Sequence, residues 1–172
     1  MKPAVSVILF TVLSGLGFGL MFWLALAPLW GAVGGFWAWA LGYGLAGAGL
    51  VSSTFHLGNP QRALRAFTQW RSSWLSREAW AAVAAMLAFA PLGLATLVPL
   101  NLPAIYGVIP AALALATVYS TAMIYGQIRA VPRWHDGGVP GLFATFMLAG
   151  GALLAGVALG PLLVGPLGGG RV

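Results

Sequence analysis

The sequence predicts an all-α integral membrane protein, a bundle of about five transmembrane helices, and three observations predict it. Hydrophobic residues make up 60% of the 172 residues and charged residues only 6%, too few to solvate the surface of a soluble domain. The apolar residues gather in long runs, each near the ~20 residues a helix needs to cross a hydrocarbon core about 30 Å thick. The runs are uniformly apolar where barrel strands would alternate. Helices also satisfy every backbone group within one segment, as lipid requires. Little chain is left over, so residues 1–172 read as a single transmembrane domain.

The first run covers about residues 3–27. Lys2 and Ala25-Leu26-Ala27 resemble parts of a secretory signal, but Pro28 follows directly and the run is long for a signal core. It is therefore read as a retained spanning helix. Gly15 and Gly19 give it a small-xxx-small pair for close helix packing. The second run covers about 31–56, with Ala40, Gly44, Ala48 and Ser52 as a ridge of small residues. The main polar loop, 57–75, carries Arg62, Arg65 and Arg71, and Arg77 lies just beyond it. The third run covers about 76–98, with Ser76 as a candidate cap and Pro91 as a kink. Asn101 and Pro103 mark a tight turn before the fourth run, about 103–128, which becomes polar toward its end at Tyr119, Ser120, Thr121 and Tyr125. Arg129, Arg133 and Asp136 form a second polar loop. The fifth run covers about 139–163, with small residues at Ala152, Gly156 and Gly160, and a glycine-rich tail follows. No internal repeat is visible.

The formal net charge of +6 comes from eight basic and two acidic side chains. Most of the basic groups sit in short loops, the pattern of topological anchors, and no nucleic-acid partner is expected. Lys2 and both basic loops fall on one side of a five-helix topology. The positive-inside rule places that side in the cytoplasm, unless the arginines serve a partner protein. The chain contains no cysteine. Disulfides and cysteine-ligated iron–sulfur clusters are excluded, so electron handling would need a bound small molecule, a haem or a partner's cofactors.

Ionisable groups at helix ends are the functional candidates in so apolar a chain. His56 ends the second helix, where it is either an interfacial cap or a hydrogen-bond donor to a quinone oxygen. Glu78 opens the third helix, where it is either a carboxylate favoured by the helix dipole or a proton acceptor for quinol oxidation. Trp70, Trp74, Trp80 and Trp134 fit an interfacial aromatic belt, and Tyr125 is placed to reach a headgroup or ligand. A haem between helices would need axial ligands, and the only histidines are His56 and His135. His135 lies in a wet loop beside Asp136, so no haem is expected.

The segment His56-Leu57-Gly58-Asn59-Pro60, then Arg62-Ala63, then Ser76 and Glu78, resembles the membrane-anchor subunits of dimethyl sulfoxide reductase, the DmsC-like family. Tyr125 with Val131-Pro132-x-Trp134 is similar to that family's loop after the fourth helix, and Phe10-Thr11-Val12 matches more weakly. The resemblance implies a multi-pass protein of a bacterial or archaeal inner membrane that works in anaerobic respiration. Its partners would be a four-cluster iron–sulfur subunit and a molybdenum catalytic subunit. It would bind menaquinol and pass electrons to the iron–sulfur subunit without haem, the clusters and molybdenum cofactor residing only in the partners.

By position, the resemblance assigns His56, Glu78 and, as a motif position, Arg62 to the quinol site. Tyr125 is a further candidate there, and Arg65, Arg71, Arg77 and Trp74 are candidates for the docking surface. The family's usual bundle has about eight helices, and the present sequence supplies five. In known members the motif loop faces the periplasm, opposite to the side the charge bias predicts. A small transporter and a purely structural anchor without quinone chemistry are the alternatives.

Overall fold

The structure is a computed structural model and describes residues 5–54, 67–128, 131 and 134–164, with side chains as far as residue 160. The described residues form five α-helices and no strand: α1 (Val5–Leu26), α2 (Phe36–Thr54), α3 (Trp74–Leu94), α4 (Val108–Gly126) and α5 (Val139–Val164). Among them, four helical segments are long and apolar enough to cross a membrane, namely α1, α3, α4 and α5 with their flanking turns. The remaining helix, α2, has 19 residues and would span about 28 Å at 1.5 Å per residue. Its glycines, Trp37, Trp39 and Tyr43 replace aliphatic residues and lower its hydropathy.

α1 is the centre of the bundle and touches each of the other four helices. Glycine makes this possible. A Cβ on Gly17 would lie 2.3 Å from the Ala46 nitrogen of α2, and one on Gly49 would lie 2.5 Å from the Ser14 nitrogen of α1. On another side, a Cβ on Gly19 would lie 2.1 Å from the Met147 carbonyl oxygen of α5. Polar bonds reinforce the same seams, since the Ser52 hydroxyl donates to the Ser6 carbonyl at 3.0 Å and the Trp23 indole donates to the Leu148 carbonyl at 2.9 Å. Main-chain carbonyls accept these bonds inside an apolar medium, where no water competes.

The small-residue seams lie at other helix phases than the sequence reading places them. On α2 the buried face is Ala38, Gly42, Ala46, Gly49 and Ser52, while Gly44 and Ala48 are exposed. On α5 it is Met147, Gly151, Ala155 and Leu159, while Ala152 and Gly156 are exposed. On α1, Gly19 packs but a Cβ on Gly15 would meet nothing within 4 Å. Each helix is apolar all round and holds small residues in several registers, so only the neighbouring helices choose among them.

Pro91 sits inside α3 and cannot donate a backbone hydrogen bond. Two tyrosines bond carbonyls on this stretch: Tyr43 donates to Met86 at 2.8 Å and Tyr106 to Ala88 at 3.0 Å. Gly31, at φ 79°, ends the 3₁₀ turn Ala27–Trp30 that follows α1. A left-handed residue is needed there, and glycine takes that conformation without steric cost.

Candidate functional site

α1 and α2 run antiparallel, as do α3 and α4, so the start of α1, the end of α2, the start of α3 and the end of α4 share one end of the bundle. The buried polar side chains are Ser14, Ser52, Ser76, Glu78, Thr117, Ser120 and Thr121 among the described residues. All of them lie between the middle of the bundle and that end. Toward the opposite end the polar groups include the half-buried Tyr43 and Tyr106 hydroxyls, each bonded to an α3 carbonyl among the described residues.

Glu78 is the centre of this layer and is 4% exposed. α3 begins at Trp74, with Ser73 at the N-cap. Ser76 therefore lies inside the helix and does not cap it. Its Oγ is the buried side-chain polar atom that makes no hydrogen bond among the described residues. Glu78 falls in the second turn, past the orphan backbone N–H groups on which the dipole account rests. What holds its carboxyl is α4, where the Thr121 hydroxyl is hydrogen-bonded to Glu78 Oε1.

The same Thr121 Oγ1 lies 3.1 Å from the Thr117 carbonyl. A hydroxyl has one proton to donate and two lone pairs, so it cannot donate to both. Two arrangements satisfy the geometry. In one, Thr121 donates to an unprotonated Glu78 oxygen. In the other, a protonated Glu78 donates to Thr121, which donates to Thr117. The pair therefore accommodates the carboxyl with or without its proton and needs no helix movement.

Tyr125 follows Thr121 by one helical turn and so lies on the same face of α4. Its ring packs edge-on against Trp134 at 5.3 Å and, tilted by 34°, against Phe143 of α5 at 5.4 Å. The His135 Nδ1–H donates to the Gly126 carbonyl at 2.7 Å, closing the last turn of α4. His135, unassigned from sequence, thus has a structural role at a helix end. His56, Arg62 and Arg65 lie outside the described residues, and so does the His56–His135 relationship.

The segment before α3 is folded back by two side chains of that helix. Arg77 donates to the carbonyls of Trp70 at 3.0 Å and Arg71 at 2.7 Å, and its guanidinium lies 4.3 Å from the Trp74 ring. Trp80 donates to the Phe67 carbonyl at 3.0 Å. Arg77 and Trp74 are thus engaged within the chain, and Trp74 also packs on Tyr119 at 5.9 Å. Arg71 stays exposed, its guanidinium 5.6 Å from the Trp70 ring. Trp70, Trp80 and Trp134 are exposed at this end, as an interfacial belt requires.

A cavity of about 580 Å³ lies between α1, α4 and α5 and reaches the same layer. Gly15, Val118, Phe143, Phe146 and Gly150 form its apolar walls, and Thr11, Ser14 and Thr121 supply its hydroxyls. Thr121 thus faces the cavity and bonds Glu78. Sequence reasoning missed it as a site residue. The available signal was the four-residue spacing of Thr117, Thr121 and Tyr125, which puts them on one face of α4.

Long apolar helices with a buried polar layer toward one end define a multi-pass membrane protein. The family model for the DMSO reductase anchor subunit (DmsC) matches residues 1–162, and the chain belongs to that family. A sulfite dehydrogenase subunit of Allochromatium vinosum is 33% identical over 88% of this chain and 53% of its own length. The anaerobic dimethyl sulfoxide reductase chain YnfH of Escherichia coli is 33% identical over 67% of this chain and 41% of its own length. The chain thus spans about half the length, or less, of these curated relatives. No solved structure matches it significantly.

Proposed function

We propose that this chain is the quinol-binding membrane anchor of a dimethyl sulfoxide reductase-type complex, and that it hands electrons to a docked iron–sulfur subunit. Its partners are a four-cluster iron–sulfur protein and a molybdenum catalytic subunit, and its substrate is menaquinol or a related quinone in the membrane. The observation that carries this reading is the buried Glu78 carboxyl, hydrogen-bonded across α3 and α4 at the loop end of the bundle. Family membership supports it, as do the names of both relatives, which are subunits of oxidoreductases.

The chemistry follows from the groups present. A quinol presents hydroxyl donors on an apolar ring. A carboxylate held in an apolar layer accepts a proton from such a donor, and a titratable group positioned in this way is worth about 10²–10⁴-fold in rate. Glu78 and Tyr125 line this end of the bundle, and His56 and Arg62 belong to the motif segment that follows α2. The electrons leave to the iron–sulfur partner, because the chain has no cysteine to bind a cluster. Arg65 and Arg71, with the Trp74–Arg77 corner, contribute to the surface on which that partner docks.

The test is Glu78→Gln in the assembled complex. Glutamine keeps a hydrogen-bond partner for Thr121 but cannot take up a proton. Quinol-driven turnover falls by about 10²-fold, while turnover with a soluble reductant that feeds the catalytic subunits directly stays at the wild-type rate. Unchanged quinol-driven turnover in an intact complex would refute the reading.

A further inference from the structure

The cavity between α1, α4 and α5 is lined by Thr121, the hydrogen-bond partner of Glu78, and its polar groups share one property. The Thr11 hydroxyl lies 3.1 Å from the carbonyls of Val7 and Ile8, and the Ser14 hydroxyl donates to the Phe10 carbonyl at 2.6 Å. Thr121 directs its proton to Glu78 or to Thr117. Each of these lining hydroxyls has one proton, already directed to a carbonyl or to Glu78, so a further hydrogen bond to it is one it accepts. Such a cavity accepts hydrogen bonds and rewards an occupant that donates one. Its remaining walls are aliphatic and aromatic, with Phe143 and Phe146 along α5. Thr121 is 5% exposed, and the cavity opens beside it toward the exposed side chains of Phe146 and Leu153.

We propose that this cavity binds a lipophilic ring compound through a ring hydroxyl, and that Thr121 links that hydroxyl to Glu78. The identity of the natural occupant as the reduced quinol rests on the function proposed above. The hydroxyl donates to Thr121 Oγ1 while Thr121 donates to Glu78 Oε1. A shift along this chain breaks the ring O–H bond, forms an O–H bond on the threonine, and moves the threonine's own proton to the carboxylate. One proton crosses from the occupant to Glu78 and no electron moves in this step. The oxidised quinone has carbonyl oxygens where the quinol has hydroxyls. It would meet acceptors with acceptors, so the cavity prefers the reduced form and favours its release once oxidised.

Gly15 provides the blocking variant. It lines the cavity, and a Cβ there meets nothing within 4 Å, so Gly15→Leu introduces a side chain at the cavity wall from a position whose Cβ has open space. The experiment photolabels the complex in its native membrane with an alkylated phenol bearing a diazirine, and locates the adducts by mass spectrometry. Adducts are expected on residues 11–16 and 142–153. Excess unlabelled phenol suppresses them and its O-methyl ether does not. Gly15→Leu and Thr121→Val lose the labelling, and Thr121→Ser, which keeps the hydroxyl, retains it. Equal competition by the methyl ether would identify an acyl-chain groove for lipid and overturn the proposal, as would undiminished labelling in both Gly15→Leu and Thr121→Val.

The two readings fail separately. If Glu78→Gln loses quinol-driven turnover while Gly15→Leu and Thr121→Val keep it, the cavity inference falls and the anchor reading stands. If the labelling behaves as expected while Glu78→Gln keeps turnover, the quinol reading falls and the cavity stands as a site for hydroxylated rings.

Discussion

Glu78 of α3 and Thr121 of α4, 43 residues apart in sequence, are joined by a hydrogen bond in the buried polar layer. The bond ties the two helices at the end where the basic loops lie. It also gives the one buried carboxyl among the described residues its partner. A carboxyl in such a place costs several kcal/mol unless it is bonded, so the threonine matters to stability as well as to chemistry.

Thr121→Val removes that partner at nearly constant volume. The complex is expected to lose about 1–3 kcal/mol, the cost of a buried polar group left unsatisfied. Thr121→Ser restores the hydroxyl and most of the stability. Thermal unfolding of the purified complex in mild detergent measures both.

The α1–α5 seam tolerates no side chain at Gly19 or Gly151, where a Cβ would lie 2.1 Å from backbone atoms of the other helix. Gly19→Ala and Gly151→Ala are expected to destabilise by about 1–3 kcal/mol, the range for overpacking. Gly15→Ala, with open space around its Cβ, is expected to be neutral. Temperature-dependent aggregation of the three variants side by side separates packing glycines from the cavity glycine.

Arg77 holds the 67–73 segment through two carbonyl bonds and a stack on Trp74. Arg77→Ala frees that segment, and limited proteolysis is expected to cut there at least several times faster than in wild type. Arg77→Lys gives only partial protection, because a lysine cannot bond two carbonyls and stack as the planar guanidinium does. Arg71→Ala leaves the digestion pattern unchanged, since the Arg71 side chain bonds none of these carbonyls.

Tyr43→Phe and Tyr106→Phe each delete one hydroxyl bond to an α3 carbonyl. Each is expected to cost about 0.5–1.5 kcal/mol. Both bonds support the proline-containing half of α3, so the double variant should cost about the sum, read as the shift in unfolding midpoint.

The all-helical membrane architecture was legible from composition and run length, because lipid applies one demanding rule to every segment by itself. The polar end was legible too, from Glu78 and from Thr121 and Tyr125 near the close of the fourth run. Family membership showed in the blocks around His56–Glu78 and Tyr125–Trp134. Helix phase was not legible. The ridge expected through Gly44 and Ala48 lies at Gly42, Ala46 and Gly49, and the one expected through Ala152 and Gly156 lies at Gly151 and Ala155.

The sequence by itself determined that this chain spans a membrane as helices and gathers its few polar groups toward one end. Both follow from what each segment must do alone in an apolar solvent. The tertiary structure decided which faces meet, that Thr121 is the partner of Glu78, that Arg77 of α3 is bound to the segment before its helix, and that Gly15 opens on a cavity. Those are relationships between segments. In helices apolar on every side, no local signal distinguishes the face that meets a neighbour from the face that meets lipid.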